Sequence, residues 1–192
     1  MTTETMPLAT YRSKTVTNRL GLWLFIVSDL FLFGGLYVAR FYLLGAGQRP
    51  DVSQVLGLGV TAMLLVSSFF MNRAEIAIAH GDQKSFLRST LITLVLGTLF
   101  LLGVVGVEWQ IAHGSPADGA AWSLFYAMTG FHALHVLSGV IFLGIVYNNG
   151  RKGMYSAERH WQVEAAAVYW HFVDVAWIFF YPALYLIGTP VL

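Results

Sequence analysis

The chain has 192 residues, of which 57% are hydrophobic and only 11% are charged, and its formal net charge is +1. It contains no cysteine, which excludes disulfides, iron–sulfur clusters, thiolate zinc sites and cysteine nucleophiles. The net charge gives no indication of nucleic-acid binding, and we expect no nucleic-acid partner. Composition of this kind predicts one integral membrane domain with little room for a separate soluble one.

Five apolar stretches account for most of the sequence, at residues 20–42, 54–72, 86–107, 121–147 and 165–188. An α-helix rises about 1.5 Å per residue, so about 20 apolar residues cross the roughly 30 Å hydrocarbon core of a bilayer. Each stretch therefore predicts one transmembrane span. The predicted fold class is all-α: a polytopic membrane protein with five transmembrane helices in one bundle.

Lysine and arginine are distributed unevenly between the two sides of this predicted bundle. Nine lie in the N-terminal segment or in the loops after the second and fourth spans, and two lie on the opposite side. The positive-inside rule then places the N-terminus in the cytoplasm and the C-terminus outside. Residues 1–18 are predicted to form a cytoplasmic tail and residues 19–192 the membrane domain.

The two loops on the basic side are predicted to be ordered. Residues 71–85 can continue the second span as a helix that ends near Gly81. In the other loop, Ser156 is predicted to cap a helix that leads into the fifth span.

Ionisable side chains inside the spans are costly to hold in lipid, so their presence indicates a structural or functional role. A pair of histidines in the fourth span and a histidine–aspartate pair in the fifth are each three residues apart, so each pair lies on one helix face. The predicted polar cluster consists of Asp29, His132, His135, Glu164, His171 and Asp174.

Three interpretations of this cluster stay open on the residues alone. The histidines could ligate haem or a metal ion, although a di-iron bundle would repeat a Glu-x-x-His motif on two helices. The groups could instead form a proton relay or a transport path. They could also pair with one another and fix the register of the helices, because a buried charge needs a partner.

The amino-acid sequence of the spans indicates a protein family, which the chemistry of their polar residues alone does not. FYAMTGFHALHVLSG (125–139) and VEAAAVYWHFVDVAWIFFYPALYLIG (163–188) resemble the last two helices of subunit III of the haem–copper terminal oxidases. LGLWLFIVSDLFLFGGLY (20–37) is similar to an earlier helix of that family, and GVVGVEW (103–109) resembles the end of the helix before the last two. The resemblance covers nearly all of residues 19–188.

The resemblance implies a five-helix bacterial form of cytochrome c oxidase subunit III, since EAAAVYWHFVD is more similar to that version than to the quinol oxidase version. Many mitochondrial-type members have seven helices, and the family usually has glutamate where this chain has Asp29. Subunit III of a quinol oxidase or of a nitric oxide reductase is the alternative within the superfamily. A stand-alone transporter or a b-type haem protein is the alternative outside it.

The resemblance also implies a role. Haem and copper belong to subunits I and II in this family, so no catalytic residue, cofactor or metal is expected in this chain. It is expected to pack on subunit I in a bacterial inner membrane, to bind phospholipid, and to support proton uptake and stable turnover during oxygen reduction. The polar cluster would then pair helices and buffer protons. Head-group contacts are expected from Arg73, Arg88, Arg159, His160 and Trp170.

Overall fold

The computed structural model describes residues 6–191 and contains five long helices. Each is long and apolar enough to cross a membrane. In chain order, the first to fifth helices are Leu8–Leu44, Gln54–Ala79, Gln83–Ile111, Ala120–Arg151 and Trp161–Leu186. The all-α, five-helix membrane fold predicted from the sequence is confirmed.

The helices alternate in direction, so the bundle has two distinct ends. The basic end holds the start of the first helix, the turn at residues 80–82 and the loop at 152–160. The far end holds the loop at residues 112–119 and two short strands. These strands, β1 (Gln48–Pro50) and β2 (Thr189–Val191), pair in parallel and join the end of the first helix to the end of the chain.

The first helix extends well beyond its apolar stretch. It begins at Leu8, so most of the predicted tail at residues 1–18 is helical and continuous with the membrane helix. At this end the Arg159 guanidinium donates a hydrogen bond to the carbonyl of Met6. The start of the first helix is therefore attached to the loop that precedes the fifth.

The turn between the second and third helices agrees with its prediction. The second helix ends at Ala79, and Gly81 follows with a φ of +78°, which glycine adopts without a Cβ penalty. Asp82 then caps the third helix, because its carboxylate accepts a hydrogen bond from the Ser85 N–H at 3.0 Å.

The predicted cap at Ser156 is wrong. The fifth helix begins at Trp161, directly after His160. Ser156 and Arg159 instead exchange two backbone hydrogen bonds, of 3.3 and 3.0 Å, across a tight turn. This closed turn ends before the helix starts, so the Ser156 side chain is not at the helix N-terminus.

The centre of the bundle is built around large aromatic side chains of the fifth helix. Trp170 is buried where two glycines leave room for its indole. A Cβ at Gly97 would lie 2.4 Å from the Trp170 ring, and one at Gly139 would lie 2.9 Å from it. These close approaches let the third, fourth and fifth helices pack around one indole.

Two helices widen into π-helical turns at the far end. The third helix does so at Leu102–Glu108 and the fifth at Pro182–Leu186. Proline lacks a backbone N–H, so the regular α-helical hydrogen bonding is interrupted at Pro182. The two turns meet where the Tyr185 hydroxyl donates to the Glu108 carboxylate at 2.6 Å.

Candidate functional site

Asp29 and His135 form the polar contact between the first and fourth helices. His135 Nε2 lies 3.6 Å from Asp29 Oδ2, and the two side chains are 15% and 14% exposed, respectively. His135 Nδ1 lies 2.8 Å from the Phe131 carbonyl oxygen, which can only accept a hydrogen bond. Nδ1 therefore carries a hydrogen, and Nε2 is the ring nitrogen that faces the acid.

A tyrosine of the fifth helix extends this polar group. The Tyr169 hydroxyl lies 2.6 Å from the Ser138 hydroxyl and donates to the His135 carbonyl at 3.3 Å. Hydrogen-bonding groups from the first, fourth and fifth helices thus lie together near the middle of the bundle. They can hold and exchange a proton, because each of these side chains can lose or accept one.

His171 and Asp174 do not join the histidines of the fourth helix, as the sequence had suggested they could. His171 Nδ1 lies 2.6 Å from the Ser68 hydroxyl of the second helix. The Asp174 carboxyl lies close to the same hydroxyl. His171 and Asp174 therefore face the second helix and not the fourth. The residues of the predicted polar cluster do not form a single group.

Two further contacts line up with this one along the same interface. The Trp170 indole N–H donates to the Ser67 hydroxyl at 3.0 Å, and the Trp177 indole N–H donates to Thr61 at 2.9 Å. We call this row the hydroxyl seam; it consists of Thr61, Ser67 and Ser68 with Trp170, His171, Asp174 and Trp177. Small hydroxyl residues of the second helix thus contact polar groups of the fifth, although one Asp174 oxygen has no hydrogen-bond partner within the described residues.

His132 is buried among aromatic rings. Its imidazole lies against the Trp177 ring at 4.8 Å between centroids and against the edge of Phe100 at 5.5 Å. Neither ring nitrogen has a hydrogen-bond partner within the described residues. His132 therefore fills space between the third, fourth and fifth helices, and it lies apart from the Asp29 contact.

Glu164 lies at the basic end, away from the other members of the predicted cluster. Its carboxylate forms an ion pair with Arg19 of the first helix at 2.6 Å. The Arg19 side chain is 52% exposed, so water and salt screen this contact. Glu164 is therefore a helix-pairing residue at the edge of the bundle.

The residues predicted to contact lipid divide into three groups. Arg73 and Arg88 line one pocket between the second and third helices. Arg159 and His160 lie half-buried in the loop before the fifth helix. The prediction for Trp170 is wrong: its side chain is 1% exposed and belongs to the hydroxyl seam, because Gly97 and Gly139 admit it to the core.

Sequence reasoning did not find the role of Arg40. This residue is fully buried at the far end of the first helix, and its guanidinium donates to four backbone carbonyls. The distances range from 2.7 to 2.9 Å, and the acceptors are Gly45, Gln48, Ala183 and Ile187. An arginine at the end of an apolar span could have indicated a special role. Its acceptors could not be predicted, because they are backbone carbonyls, which any residue type supplies.

Within residues 6–191, no three histidine, aspartate or glutamate side chains converge in a way that could hold a metal ion. The deep ionisable groups instead contact serine, carbonyl and aromatic groups of neighbouring helices. Together with the five helices, these contacts define a polytopic α-helical membrane protein whose intramembrane polar residues mainly join its helices.

The family is shown by comparison with known proteins. A family model described as cytochrome c oxidase subunit III matches residues 5–189. The chain belongs to the cytochrome c oxidase subunit III family, which confirms the resemblance seen in the sequence.

Individual relatives come from bacteria and from animals. Cytochrome c oxidase subunit 3 of Thermostichus vulcanus is 36% identical over 174 residues, which cover 88% of this chain and 86% of the relative. The proteins of the same name from Dugong dugon and Gadus morhua are 34% and 35% identical over 184 residues. In both cases the match covers 89% of this chain and 70% of the relative.

Proposed function

We propose that this chain is the non-redox subunit III of a respiratory cytochrome c oxidase, packed on subunit I beside subunit II in a bacterial cell membrane. The family match over residues 5–189 carries this proposal. The subunit would support proton uptake and stable turnover while subunits I and II reduce oxygen to water. Its N-terminus would face the cytoplasm, because nine of eleven lysines and arginines lie at the basic end.

The contacts of the deep histidines support a role without redox chemistry. Haem and copper would supply the oxygen chemistry from subunits I and II. In this chain His135 and His171 each place a ring nitrogen against a carbonyl or hydroxyl group, and His132 is enclosed by aromatic rings. Their positions serve helix packing, and no group of donors is assembled for a metal within the described residues.

Proton buffering is assigned to Asp29 and His135. With Nδ1 bonded to a carbonyl, the neutral pair holds one proton that can reside on the carboxyl or on Nε2. Loss of that proton leaves a negative pair, which can later accept a proton again. Both side chains are only slightly exposed, and we assign them proton exchange without an obligatory channel.

Lipid binding is assigned to a groove at the basic end, between the start of the first helix and the loop before the fifth. The groove has a volume of about 330 Å³. It offers cationic side chains for a phosphate and carboxylates for an ammonium, which suits a zwitterionic head group. The charged side chains that line it are Arg12, Arg19, Glu158, His160 and Glu164.

Purification of the tagged full chain from its native membrane in mild detergent tests the proposal. We expect subunits that carry haem and copper to co-purify, together with cytochrome c oxidase activity. Accompanying subunits of a quinol oxidase or of a nitric oxide reductase would reassign the complex. A stoichiometric Soret band from the chain expressed alone would contradict the non-redox role and indicate a b-type cytochrome.

A further inference from the structure

A pocket of about 200 Å³ lies at the far end of the bundle, where the segment before the second helix meets the end of the third. Its polar wall consists of two carboxyl groups, an imidazole and a hydroxyl group, which belong to Asp51, Glu108, His113 and Ser53. None of these residues takes part in the Asp29 contact or in the hydroxyl seam, and none lines the groove assigned to lipid. The pocket is therefore a separate site.

One of these side chains is almost fully buried and incompletely bonded. Glu108 is 1% exposed. Its Oε2 accepts a hydrogen bond from the Tyr185 hydroxyl at 2.6 Å, whereas its Oε1 has no hydrogen-bond partner within residues 6–191. Buried polar atoms in folded proteins nearly always have a partner, which can be an ordered water. Because Glu108 lines the pocket, water in the pocket can supply the partner that Oε1 needs.

Glu108 has no cationic partner in the part of the chain that the structure describes. It belongs to no ion pair there. The Arg40 guanidinium lies at the same end, but its hydrogen bonds go to backbone carbonyls, among them two that flank Tyr185 in the sequence. A buried carboxylate without a cation is costly, so burial favours the neutral, protonated form of Glu108.

The other titratable groups around this carboxyl group come from three segments. Asp51 precedes the second helix and is partly buried, and His113 follows the third helix and is exposed. In the fifth helix, Tyr181 stacks on Tyr185 at 5.2 Å between ring centroids. The fourth helix presents the apolar ring of Phe125 to Tyr185 at 6.3 Å. Asp51 and His113 are therefore the groups that can carry a proton between the buried acid and bulk water.

The depth of the pocket suits the entry of water. Glu108 lies three residues before the end of the third helix, which corresponds to about 4–5 Å along the helix axis. This position belongs to the polar interfacial region of a bilayer and not to its hydrocarbon core. A water molecule occupies about 30 Å³ in the liquid, so a pocket of about 200 Å³ has room for several.

We propose that Glu108 is a second proton-binding site of the chain, which exchanges its proton with water at the far end of the bundle through this pocket. Because Tyr185 donates to Oε2, the proton of the neutral acid is on Oε1. The proton passes from Oε1 to water in the pocket and then to the Asp51 carboxylate or to bulk water, and Glu108 is left as a carboxylate that still accepts from Tyr185. The inference goes beyond the proposed function and needs only that the far end of the bundle reaches water.

Infrared difference spectroscopy of the full chain, purified with any subunits that accompany it, tests for the proton. A protonated carboxyl group has a C=O stretching band that a carboxylate lacks. We expect such a band near neutral pH in the wild type and its loss in Glu108→Gln. Glu158→Gln makes the same change at an exposed glutamate of the basic end and should leave the band unchanged.

A second variant identifies the band without removing the acid. Tyr185→Phe deletes the hydrogen bond at Oε2, so the band should move to higher wavenumber. The proposal is overturned if the carboxyl bands of Glu108→Gln and Tyr185→Phe are both those of the wild type.

Transfer to D₂O tests the route of exchange, because deuteration shifts the band. Ala112→Phe fills the pocket while both carboxyl groups remain, and we expect it to slow the shift about tenfold, since exchange would then require local opening of the bundle. Ile111→Trp serves in its place if thermal melting shows that Ala112→Phe is not folded. A folded variant that exchanges as fast as the wild type would overturn the route through the pocket. Oxidase activity plays no part in these readouts, so failure here leaves the proposed function intact.

Discussion

The fifth helix is held along its whole length, whereas the first helix is held at a few points. In the most apolar stretch of each helix, 61% of the residues are buried in the fifth helix and 17% in the first. The hydroxyl seam fixes the fifth helix to the second. The polar contacts of the first helix are those of its start with Arg159 and Glu164, of Arg40 at its other end, and of Asp29 with His135 between them.

The polar groups that hold the fifth helix have a structural role, whereas the Asp29 contact of the first helix can exchange a proton. The two indoles and His171 are hydrogen-bonded to hydroxyl groups in the seam, so removing a hydroxyl leaves its partner unsatisfied in a medium without water. The Asp29 contact is longer, at 3.6 Å, and the Asp29 oxygen in it has no hydrogen-bond partner within the described residues, so its loss removes little bonding. We therefore expect substitutions in the seam to reduce stability and substitutions at Asp29 to change proton exchange.

The largest effect is expected for Arg40→Met, which removes the side-chain hydrogen bonds of Arg40 at the far end of the first helix. Four backbone carbonyls lose a charged donor, which we expect to cost about 3 kcal/mol and to lower the melting temperature by roughly 6–12 °C. Thermal denaturation of the purified chain in detergent measures this. Arg151→Met is the control; equal melting temperatures for both variants would show that Arg40 does not anchor the helix.

Gly97→Ala and Gly21→Ala make the same chemical change at a position packed against the fifth helix and at a position on the first helix. A Cβ at Gly97 would overlap Trp170 at 2.4 Å, so we expect a loss of about 2 kcal/mol from overpacking. A Cβ at Gly21 meets nothing within 4 Å, so alanine should be neutral or stabilising by up to about 1 kcal/mol. Melting temperatures that change in the same direction would contradict the contrast between the core and the first helix.

Ser68→Ala tests whether the seam needs its hydroxyl groups. His171 and Asp174 would both lose their contact on the second helix, and we expect a loss of about 1–2 kcal/mol. Ser28→Ala is the matched control, since that hydroxyl bonds only to Phe25 of its own helix and should matter by less than about 0.5 kcal/mol. Equal stability of the two variants in a detergent melt would mean that packing alone holds the seam.

The smallest effect on stability is expected for Asp29→Asn, within about 0.5 kcal/mol, because the contact with His135 is long and partly exposed. Initial oxygen consumption by the oxidase should stay close to normal. Any defect should appear as slower proton uptake or earlier inactivation during turnover. Proton-to-electron ratios measured from the first turnover decide this, and complete loss of pumping at once would rule out a supporting role.

The sequence by itself determined the number of helices and the family. Five apolar stretches are long enough to satisfy every backbone group within a helix, which lipid requires, so the spans can be read from hydropathy. The family could be recognised because the last two spans carry specific side chains at successive positions. The turn at Gly81 could also be predicted, because it depends only on neighbouring residues: a glycine with positive φ is followed directly by the aspartate that caps the next helix.

Tertiary structure alone decided which polar groups meet. Asp29 contacts His135. His171 and Asp174 instead lie against Ser68, and Glu164 pairs with Arg19. Helical spacing places residues on a face, yet it does not say which neighbouring helix that face meets.

The same limit explains the errors for Trp170 and the missed role of Arg40. Burial of Trp170 depends on glycines of two other helices, more than 30 residues away for each. Arg40 is held by backbone carbonyls just after the first helix and at the end of the fifth, and any residue type can supply a carbonyl. Contacts that depend on close helix approach or on backbone acceptors leave no pattern in the sequence, so only the folded bundle reveals them.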